Sequence, residues 1–141
     1  MLLKDILASK GRTVYTIAPL QSIMDVVRKM VEHNCGSLVV CDGDSMVGII
    51  SERDILRTVA VLDKRFEQIT VESRMTCNVI TGTPLDCIND TLGLMSAKRI
   101  RHLPVLEEGK LYGMVSIGDL VNAQHRLLVL ENHQLMTFIQ S

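Results

Sequence analysis

Aromatic residues are scarce in this sequence, and tryptophan is absent. The 141 residues include two tyrosines and two phenylalanines, so the core has to be built from Val, Ile, Leu and Met. Hydrophobic residues make up 47% of the chain. This share is too high for a disordered protein and sufficient for one domain with a substantial core.

Three further absences exclude classes of function. The 15 Lys and Arg are balanced by 16 Asp and Glu, so we expect no nucleic-acid partner. No apolar run approaches the roughly 20 residues that span a bilayer, and residues 1–6 lack the apolar stretch of a signal peptide and carry an early acid. We therefore expect no membrane partner and a cytoplasmic location.

The cysteines form no CxxC pair, so they are interpreted as reduced thiols of a cytosolic protein. They are Cys35, Cys41, Cys77 and Cys87. We expect no metal site from His33, Cys35 and Cys41, because no second pair of ligands follows them. The sequence also contains no Ser/His/Asp or Cys/His constellation, which argues against an enzyme and against any catalytic residue.

One short pattern occurs twice: Gly, two apolar residues, Ser, two free positions and Asp. It spans residues 48–54 and again residues 113–119. The pattern is typical of a buried strand that leads directly into a helix. A glycine lets another group approach the strand, the serine suits the helix N-cap, and the aspartate suits the first helical turn.

The repetition extends far beyond this pattern. A shift of 65 positions aligns residues 14–56 with 79–121 without a gap, and twelve aligned positions are identical. We therefore predict a duplicated unit of the order strand, helix, strand, strand, helix, which is an α/β fold of two βαββα repeats. The predicted elements of the first repeat are strand 14–17, helix 22–33, strand 37–41, strand 46–50 and helix 51–62. Those of the second are strand 79–81, helix 87–99, strand 102–106, strand 111–115 and a helix from 116 toward 138.

Three segments lie outside the predicted repeats, which we place at residues 14–62 and 79–125. Residues 1–13 contain a short helix, residues 63–78 form a linker helix, and residues 126–141 extend the last helix. Within the linker, residues 71–76 look like the counterpart of residues 3–8. The apolar residues of the last helix suit either a partner helix or the chain's own core.

Each repeat alone is too small to bury its sheet well. Two repeats packed with pseudo-twofold symmetry solve this problem and create a cleft lined by the two Ser-x-x-Asp junctions. A carboxylate there accepts hydrogen bonds from a ribose diol, and the ends of strands are common ligand sites in α/β folds. The same residues also suit plain helix capping, and both readings stay open.

The chain resembles a tandem pair of CBS domains, also called a Bateman module. The resemblance rests on the paired Gly-x-x-Ser-x-x-Asp junctions, on the Val-x-Thr-x-x-Pro starts at 14 and 79, and on Arg-His-Leu-Pro-Val at 101–105. It covers residues 1 to about 125. It implies a non-catalytic module that binds AMP, ADP, ATP, S-adenosylmethionine or NAD(H), that pairs into a disc-shaped homodimer, and that regulates a separate, unidentified protein.

The resemblance also implies positions for the ligand. Ser116 and Asp119 would hold the ribose in one site, and Ser51 and Asp54 would do so in the pseudo-symmetric site. Base or backbone contacts would come from Thr16, Thr81, Gly36, Ser37, Leu38, Leu103 and Pro104. Arg101 and His102 occupy the place of phosphate-contacting residues, and the first repeat has Gly36 and Ser37 there instead. The two sites should therefore differ, and the second junction is the better candidate for a mononucleotide.

Arg53 has no counterpart in the second repeat, where Gly118 stands. It is suited to bind a phosphate bidentately or to pair with Asp54 or Glu52. The sequence thus favours a regulatory adenine-nucleotide sensor, and the alternative is an interaction and dimerisation module without a nucleotide.

Overall fold

The computed structural model describes residues 1–61 and 63–140, and the chain divides into two compact units. The first-repeat unit is Thr13–Ile80, and the second-repeat unit joins Met1–Arg12 to the chain from Thr81 onward. The helices are α1 (Leu3–Lys10), α2 (Ile23–His33), α3 (Glu52–Ala60), α4 (Ile88–Lys98) and α5 (Ile117–Gln140). The strands are β1 (Thr16–Ile17), β2 (Ser37–Asp42), β3 (Ser45–Ser51), β4 (His102–Glu107) and β5 (Lys110–Ser116).

The first-repeat unit has a three-stranded sheet in the order β1-β2-β3, with β1 parallel to β2 and β3 antiparallel to β2. Helix α2 begins as predicted, because the backbone N–H of Asp25 donates to Ser22 Oγ at 3.1 Å and the N–H of Ser22 donates to Asp25 Oδ2 at 3.1 Å. The helix buries Ile23 and Val26 in a core shared with the aliphatic side chains of β2 and β3. Each fully buried aliphatic side chain stabilises the fold by about 1.5–3 kcal/mol.

The second-repeat unit contains the β4–β5 hairpin, but the predicted strand at 79–81 does not form. The contact that remains is a parallel bridge between Gly82 and Val105. In the first-repeat unit, the N–H of Val39 donates to the carbonyl of Tyr15. The residue equivalent to Val39 is Pro104, which has no N–H to donate, so this hydrogen bond is lost and no strand forms at 79–81.

The segments placed outside the repeats are integral parts of the two units. The N–H of Leu3 donates to Asp86 O, and the N–H of Val71 donates to Gln21 O at the equivalent position of the other repeat. In the same way, the N–H of Lys4 donates to the carbonyl of Pro84, and the N–H of Glu72 donates to the equivalent carbonyl of Pro19. These bonds agree with the predicted likeness of residues 3–8 and 71–76.

The predicted linker helix at 63–78 is wrong. This segment holds two short 3-10 turns, Phe66–Gln68 and Val71–Ser73. Ile69 and Val71 enter the core of the first-repeat unit, as Leu3 and Leu7 become buried in the other unit. The segment is held by core contacts at a few points rather than by a regular helical repeat.

The two helices that follow the Ser-x-x-Asp junctions differ in length. Helix α3 ends at Ala60, and the predicted end at Leu62 lies outside the described residues. Helix α5 continues to Gln140, and its last turns expose apolar side chains. The exposed members are Leu128, Val129, Leu130, Leu135, Met136, Phe138 and Ile139. None of the helices described is both long enough and apolar enough for a bilayer crossing.

Candidate functional site

The second junction, where β5 leads into α5, is a complete capping box. The N–H of Asp119 donates to Ser116 Oγ at 3.1 Å, and the N–H of Ser116 donates to Asp119 Oδ2 at 2.8 Å. The serine satisfies a free N–H of the first helical turn, and the carboxylate lies where the helix dipole favours negative charge. Capping therefore fixes Asp119 at the start of α5.

Asp119 also receives a lysine from α1. Lys10 Nζ lies 2.6 Å from Asp119 Oδ2 and donates to the carbonyl of Met114 at 2.9 Å. The pair is partly open to solvent, since the side chains are 38% exposed for Lys10 and 26% for Asp119. Burial raises the pKa of Asp119, but the hydrogen bonds from Lys10 and Ser116 outweigh it and hold the pKa below its ordinary value.

The other residues predicted for the second site lie near this junction. His102 is paired with Ser116 across the hairpin, and the N–H of Ile117 donates to the carbonyl of Arg101 at 2.9 Å. Arg101 is exposed and His102 half-buried, while Leu103 and Pro104 continue β4 as buried residues. Thr81 precedes Gly82, whose N–H donates to the carbonyl of Pro104. The second-repeat unit thus gathers Thr81, Arg101, His102, Leu103, Pro104, Ser116 and Asp119.

The first junction has the same order of elements but a different carboxylate environment. Asp54 is 5% exposed, and its Oδ2 accepts from the N–H of Ser51 at 2.9 Å and from Ser51 Oγ at 3.3 Å. Its Oδ1 accepts from Thr76 Oγ1 at 3.2 Å and lies 3.7 Å from Arg57 Nη1. Both oxygens of Asp54 are therefore engaged within the unit.

The remaining first-site residues lie around this buried carboxylate. Ser37 is paired with Ser51, and the N–H of Glu52 donates to the carbonyl of Gly36 at 3.0 Å. Ser37 and Leu38 are buried, and the carbonyl of Thr16 accepts from Lys29 Nζ. Arg53 is exposed on the first turn of α3. The cation 3.7 Å from Asp54 is Arg57, a partner that sequence reasoning missed.

The repeated glycines leave room for residues from the two segments outside the repeats. Residues 71–76 approach Gly48, and helix α1 approaches Gly113. A Cβ on Gly48 would lie 2.7 Å from Met75 Sδ and 2.9 Å from the carbonyl of Thr76. A Cβ on Gly113 would lie 2.8 Å from Leu7 Cδ2. The predicted close approach to the strand is confirmed, and the approaching groups are Met75 and Leu7.

Sequence reasoning also missed Thr76 and Lys10, which contact the two aspartates. Thr76 pairs with β3 through both of its backbone groups, donating to Ile49 O at 2.8 Å and accepting from Ile49 N at 3.0 Å. Met114 is the residue equivalent to Ile49, and its carbonyl receives the ammonium of Lys10 instead. The sequence similarity between residues 3–8 and 71–76 indicated these two segments. It includes Thr76 but ends at residue 8, two residues before Lys10.

A cavity of about 240 Å³ lies next to the Lys10–Asp119 pair, between α1 and the first turns of α5. Its polar lining consists of Asp5, Ser9, Lys10, Asp119, Asn122 and Arg126. Asp5 is already engaged, since its Oδ2 accepts from the N–H of Leu2 at 2.8 Å. The cavity therefore places open space and a second cation, Arg126, beside the pair.

The cysteines remain single thiols. Cys35 and Cys41 are partly buried, and burial raises the pKa of both thiols, which disfavours the reactive thiolate. Across residues 1–61 and 63–140, no group of three or more His, Cys, Asp or Glu side chains is placed to hold a metal ion.

Comparison with known proteins gives one consistent result. The model of the CBS domain family matches residues 3–61 and 70–126. The mitochondrial CBS domain-containing protein CBSX3 of Arabidopsis thaliana is 35% identical over 136 residues, which cover 88% of this chain and 66% of that relative, slightly under two thirds of its length. The structure of the CBS-domain containing protein ATU1752 from Agrobacterium tumefaciens superimposes with a TM-score of 0.85 at 36% identity, covering 88% of this chain and 99% of that one.

Another similar solved structure contains bound ligands. The CBS domain pair of protein MJ0100, in complex with 5′-methylthioadenosine and S-adenosyl-L-methionine, is 28% identical with a TM-score of 0.73. The match covers 89% of this chain and 96% of that one. The family model matches twice, and the strands of the two hairpins pair at equivalent residues. This chain therefore belongs to the CBS domain family and carries two copies of the domain.

Proposed function

We propose that this chain is a regulatory module that binds an adenosine-containing ligand at the second junction. The ribose hydroxyls donate to Asp119 and exchange hydrogen bonds with Ser116, while the backbone of residues 102–104 meets the adenine edge beside Thr81. Arg101 and His102 contact the phosphate. The observation that carries the proposal is the partial exposure of Asp119, because a carboxylate must be reachable to accept bonds from a ligand.

The first junction is the proposed secondary site, with Ser51, Asp54, Thr16, Gly36, Ser37 and Leu38 around the ligand and Arg53 toward its phosphate. Asp54 is buried and has its oxygens engaged by Ser51 and Thr76. A ribose must first reach this buried carboxylate and then displace the hydroxyl of Thr76, whose backbone is paired with Ile49. The net gain from such an exchange is small. We therefore expect weaker binding at the first junction than at the second.

The ligand class follows from the charge of the site and from a relative. The structure of protein MJ0100 holds 5′-methylthioadenosine and S-adenosyl-L-methionine, both of which contain adenosine. In this chain the neighbouring Arg101 supports an anionic group beyond the ribose. AMP, ADP, ATP and NAD(H) are thus the proposed ligands, with no catalytic cofactor and no reaction.

Regulation requires two states that differ in affinity for the ligand. We propose that the nucleotide prefers one arrangement of the repeats, or of a homodimer, and thereby changes the affinity for a separate partner protein. We propose no catalytic role for the module itself. The single thiols suit the reducing cytoplasm, which is our proposed location.

Thermal melting with AMP, ATP, NAD⁺, NADH and S-adenosylmethionine tests the proposal. A ligand at 100 times its dissociation constant should add about 2.7 kcal/mol to the free energy of unfolding. In the variant Asp119→Asn, the shift should disappear while the ligand-free protein still unfolds cooperatively. The variant Asp90→Asn, an exposed acid on α4, is the matched control and should keep the shift. No shift with any ligand would reject nucleotide binding.

The exposed apolar side chains of α5 favour a second candidate, an interaction and dimerisation module without a nucleotide. The last turns expose seven apolar residues, more than is usual for a helix surrounded by water. Contiguous apolar surface of this kind is typical of protein–protein contacts. Light scattering of the full chain and of Leu128→Glu/Leu135→Glu tests this function. We expect a homodimer that the double substitution converts to a monomer; an unchanged mass would reject α5 as the contact.

A further inference from the structure

We propose that Lys10 makes the second junction selective for adenosine ligands that carry a phosphate. It holds Asp119 before a ligand binds and transfers to the phosphate when the ribose takes the carboxylate. The inference rests on the proposed function and adds a residue from outside the repeated motif. It also separates this chain from relatives that bind uncharged adenosine derivatives.

The first step is a competition for one oxygen. Lys10 Nζ and the N–H of Ser116 both bond to Asp119 Oδ2, at 2.6 Å and 2.8 Å. A hydrogen bond to an ionised carboxylate is strong with either donor, but only the ammonium adds the attraction between opposite charges. A ribose hydroxyl that displaces the ammonium therefore keeps a charge-assisted hydrogen bond and loses the ion pair. A neutral nucleoside has no negative group that could replace Asp119 as the partner of Lys10, so its binding is weakened by the loss of the ion pair.

The second step is the fate of the displaced ammonium. A phosphate attached to the same ribose offers it three acceptor oxygens and a negative charge, so that the lost ion pair is replaced by a new one. S-adenosylmethionine carries a sulfonium next to the ribose together with an ammonium and a carboxylate, so its net charge is positive. The sulfonium repels Lys10 and offsets any pairing of the more distant carboxylate with it. We expect the order of affinity AMP, then 5′-methylthioadenosine, then S-adenosylmethionine.

The third step is freedom of movement. Lys10 is the last residue of α1, its side chain is 38% exposed, and the cavity of about 240 Å³ lies beside it. Lys10 reaches Met114 O and Asp119 through its ammonium alone. Thr76 makes the equivalent contacts in the first-repeat unit with its backbone paired to Ile49 in both directions. The lysine can exchange partners by rotating its side chain, whereas the threonine is held by the strand.

Other charged groups around Lys10 support this direction of transfer. Asp5 and Arg126 line the same cavity as Lys10. Asp5 already accepts the N–H of Leu2 at the start of α1, and Arg126 adds positive charge. A phosphate that enters beside Asp119 therefore finds Lys10 and Arg126 on the cavity side of the junction, in addition to the proposed contacts with Arg101 and His102.

Isothermal titration calorimetry of the full chain with AMP and 5′-methylthioadenosine tests the inference. These ligands share the adenosine and differ in whether its 5′ end is a phosphate or a neutral thioether. We expect wild-type protein to prefer AMP by at least about tenfold. In Lys10→Met, which keeps the apolar stem, the preference should fall by roughly tenfold, through weaker AMP binding and equal or tighter 5′-methylthioadenosine binding.

Two further variants make the test specific. Lys10→Arg keeps the charge and should retain the preference, and Lys4→Met removes an exposed charge from the same helix and should leave both affinities unchanged. An unchanged preference in Lys10→Met, or an equal loss in Lys4→Met, would overturn the role of Lys10 while leaving the proposed function intact. Failure of wild-type protein to bind either ligand would overturn the inference, whereas the proposed function is overturned only if none of the ligands in the thermal-melting test binds.

Discussion

The two Ser-x-x-Asp junctions share a sequence motif and a backbone register, yet they place their aspartates in different situations. Asp54 is buried and bonded to a threonine whose backbone is itself part of the sheet edge. Asp119 is partly exposed and bonded to a lysine tip. The comparison teaches that two copies of one motif can hold their aspartates differently, one buried and one partly exposed, because the third partner comes from outside the motif.

The largest expected effect comes from removing the buried carboxylate. Asp54→Ala leaves the part-buried N–H of Ser51 without its acceptor, which costs about 1–3 kcal/mol. It also removes the charge-assisted hydrogen bond from the hydroxyl of Thr76, a residue exposed to solvent, which contributes roughly 1.5 kcal/mol. We expect a loss of about 3 kcal/mol in the free energy of unfolding. Urea denaturation at pH 7 measures it, and Asp119→Ala is the matched control with a loss of about 1 kcal/mol. Equal losses would remove the distinction between the junctions.

Alanine at the paired glycines tests the same contrast through sterics. Gly48→Ala places a Cβ 2.9 Å from the backbone carbonyl of Thr76, which cannot move without breaking its pairing with Ile49. Gly113→Ala meets Leu7 Cδ1 and Cδ2, the far end of a flexible side chain. We expect a cost of about 1–3 kcal/mol for Gly48→Ala and a smaller one for Gly113→Ala. Thermal melting of both variants measures the two losses of stability. A larger loss in Gly113→Ala than in Gly48→Ala would contradict the rigid attachment of Thr76.

Much of this contrast was absent from the sequence, although the architecture was not. The repeat predicted the α/β class, the elements of both hairpins and the cap of α2 at Ser22, because these features depend on local periodicity and on capping residues. The loss of the predicted strand at 79–81, which leaves one bridge at Gly82, depends on Pro104. The missing N–H of Pro104 matters only once the partner of Val39 is known. The burial of Asp54 depends on Thr76, a residue 22 positions away. Contacts of this kind carry no periodic signal.

The pH dependence of stability sharpens the comparison further. The pKa of Asp119 is lowered in the folded chain, so its ion pair stabilises the fold above the ordinary carboxyl value near 3.8 and the contribution is lost as the pH falls through the folded pKa. The stability difference between wild type and Asp119→Asn should therefore be constant from pH 7 to about 5 and shrink below about 4. Urea denaturation at several pH values measures it. A difference that grows toward low pH would reverse the sign of the shift.

The smallest expected effect is the stability cost of Lys10→Met, and its smallness is informative. A pair as exposed as Lys10–Asp119 contributes about 0.2–1 kcal/mol, because solvent screens the charges and ordering the lysine costs entropy. A small loss by urea denaturation, combined with a large change in the AMP preference, would show that the lysine serves binding more than folding. Thr76→Val gives the opposite case, since its hydroxyl contacts a buried carboxylate, and we expect it to cost about 1–2 kcal/mol. A Lys10→Met cost above that of Thr76→Val would make Lys10 a structural residue, and the two junctions would then differ in exposure alone.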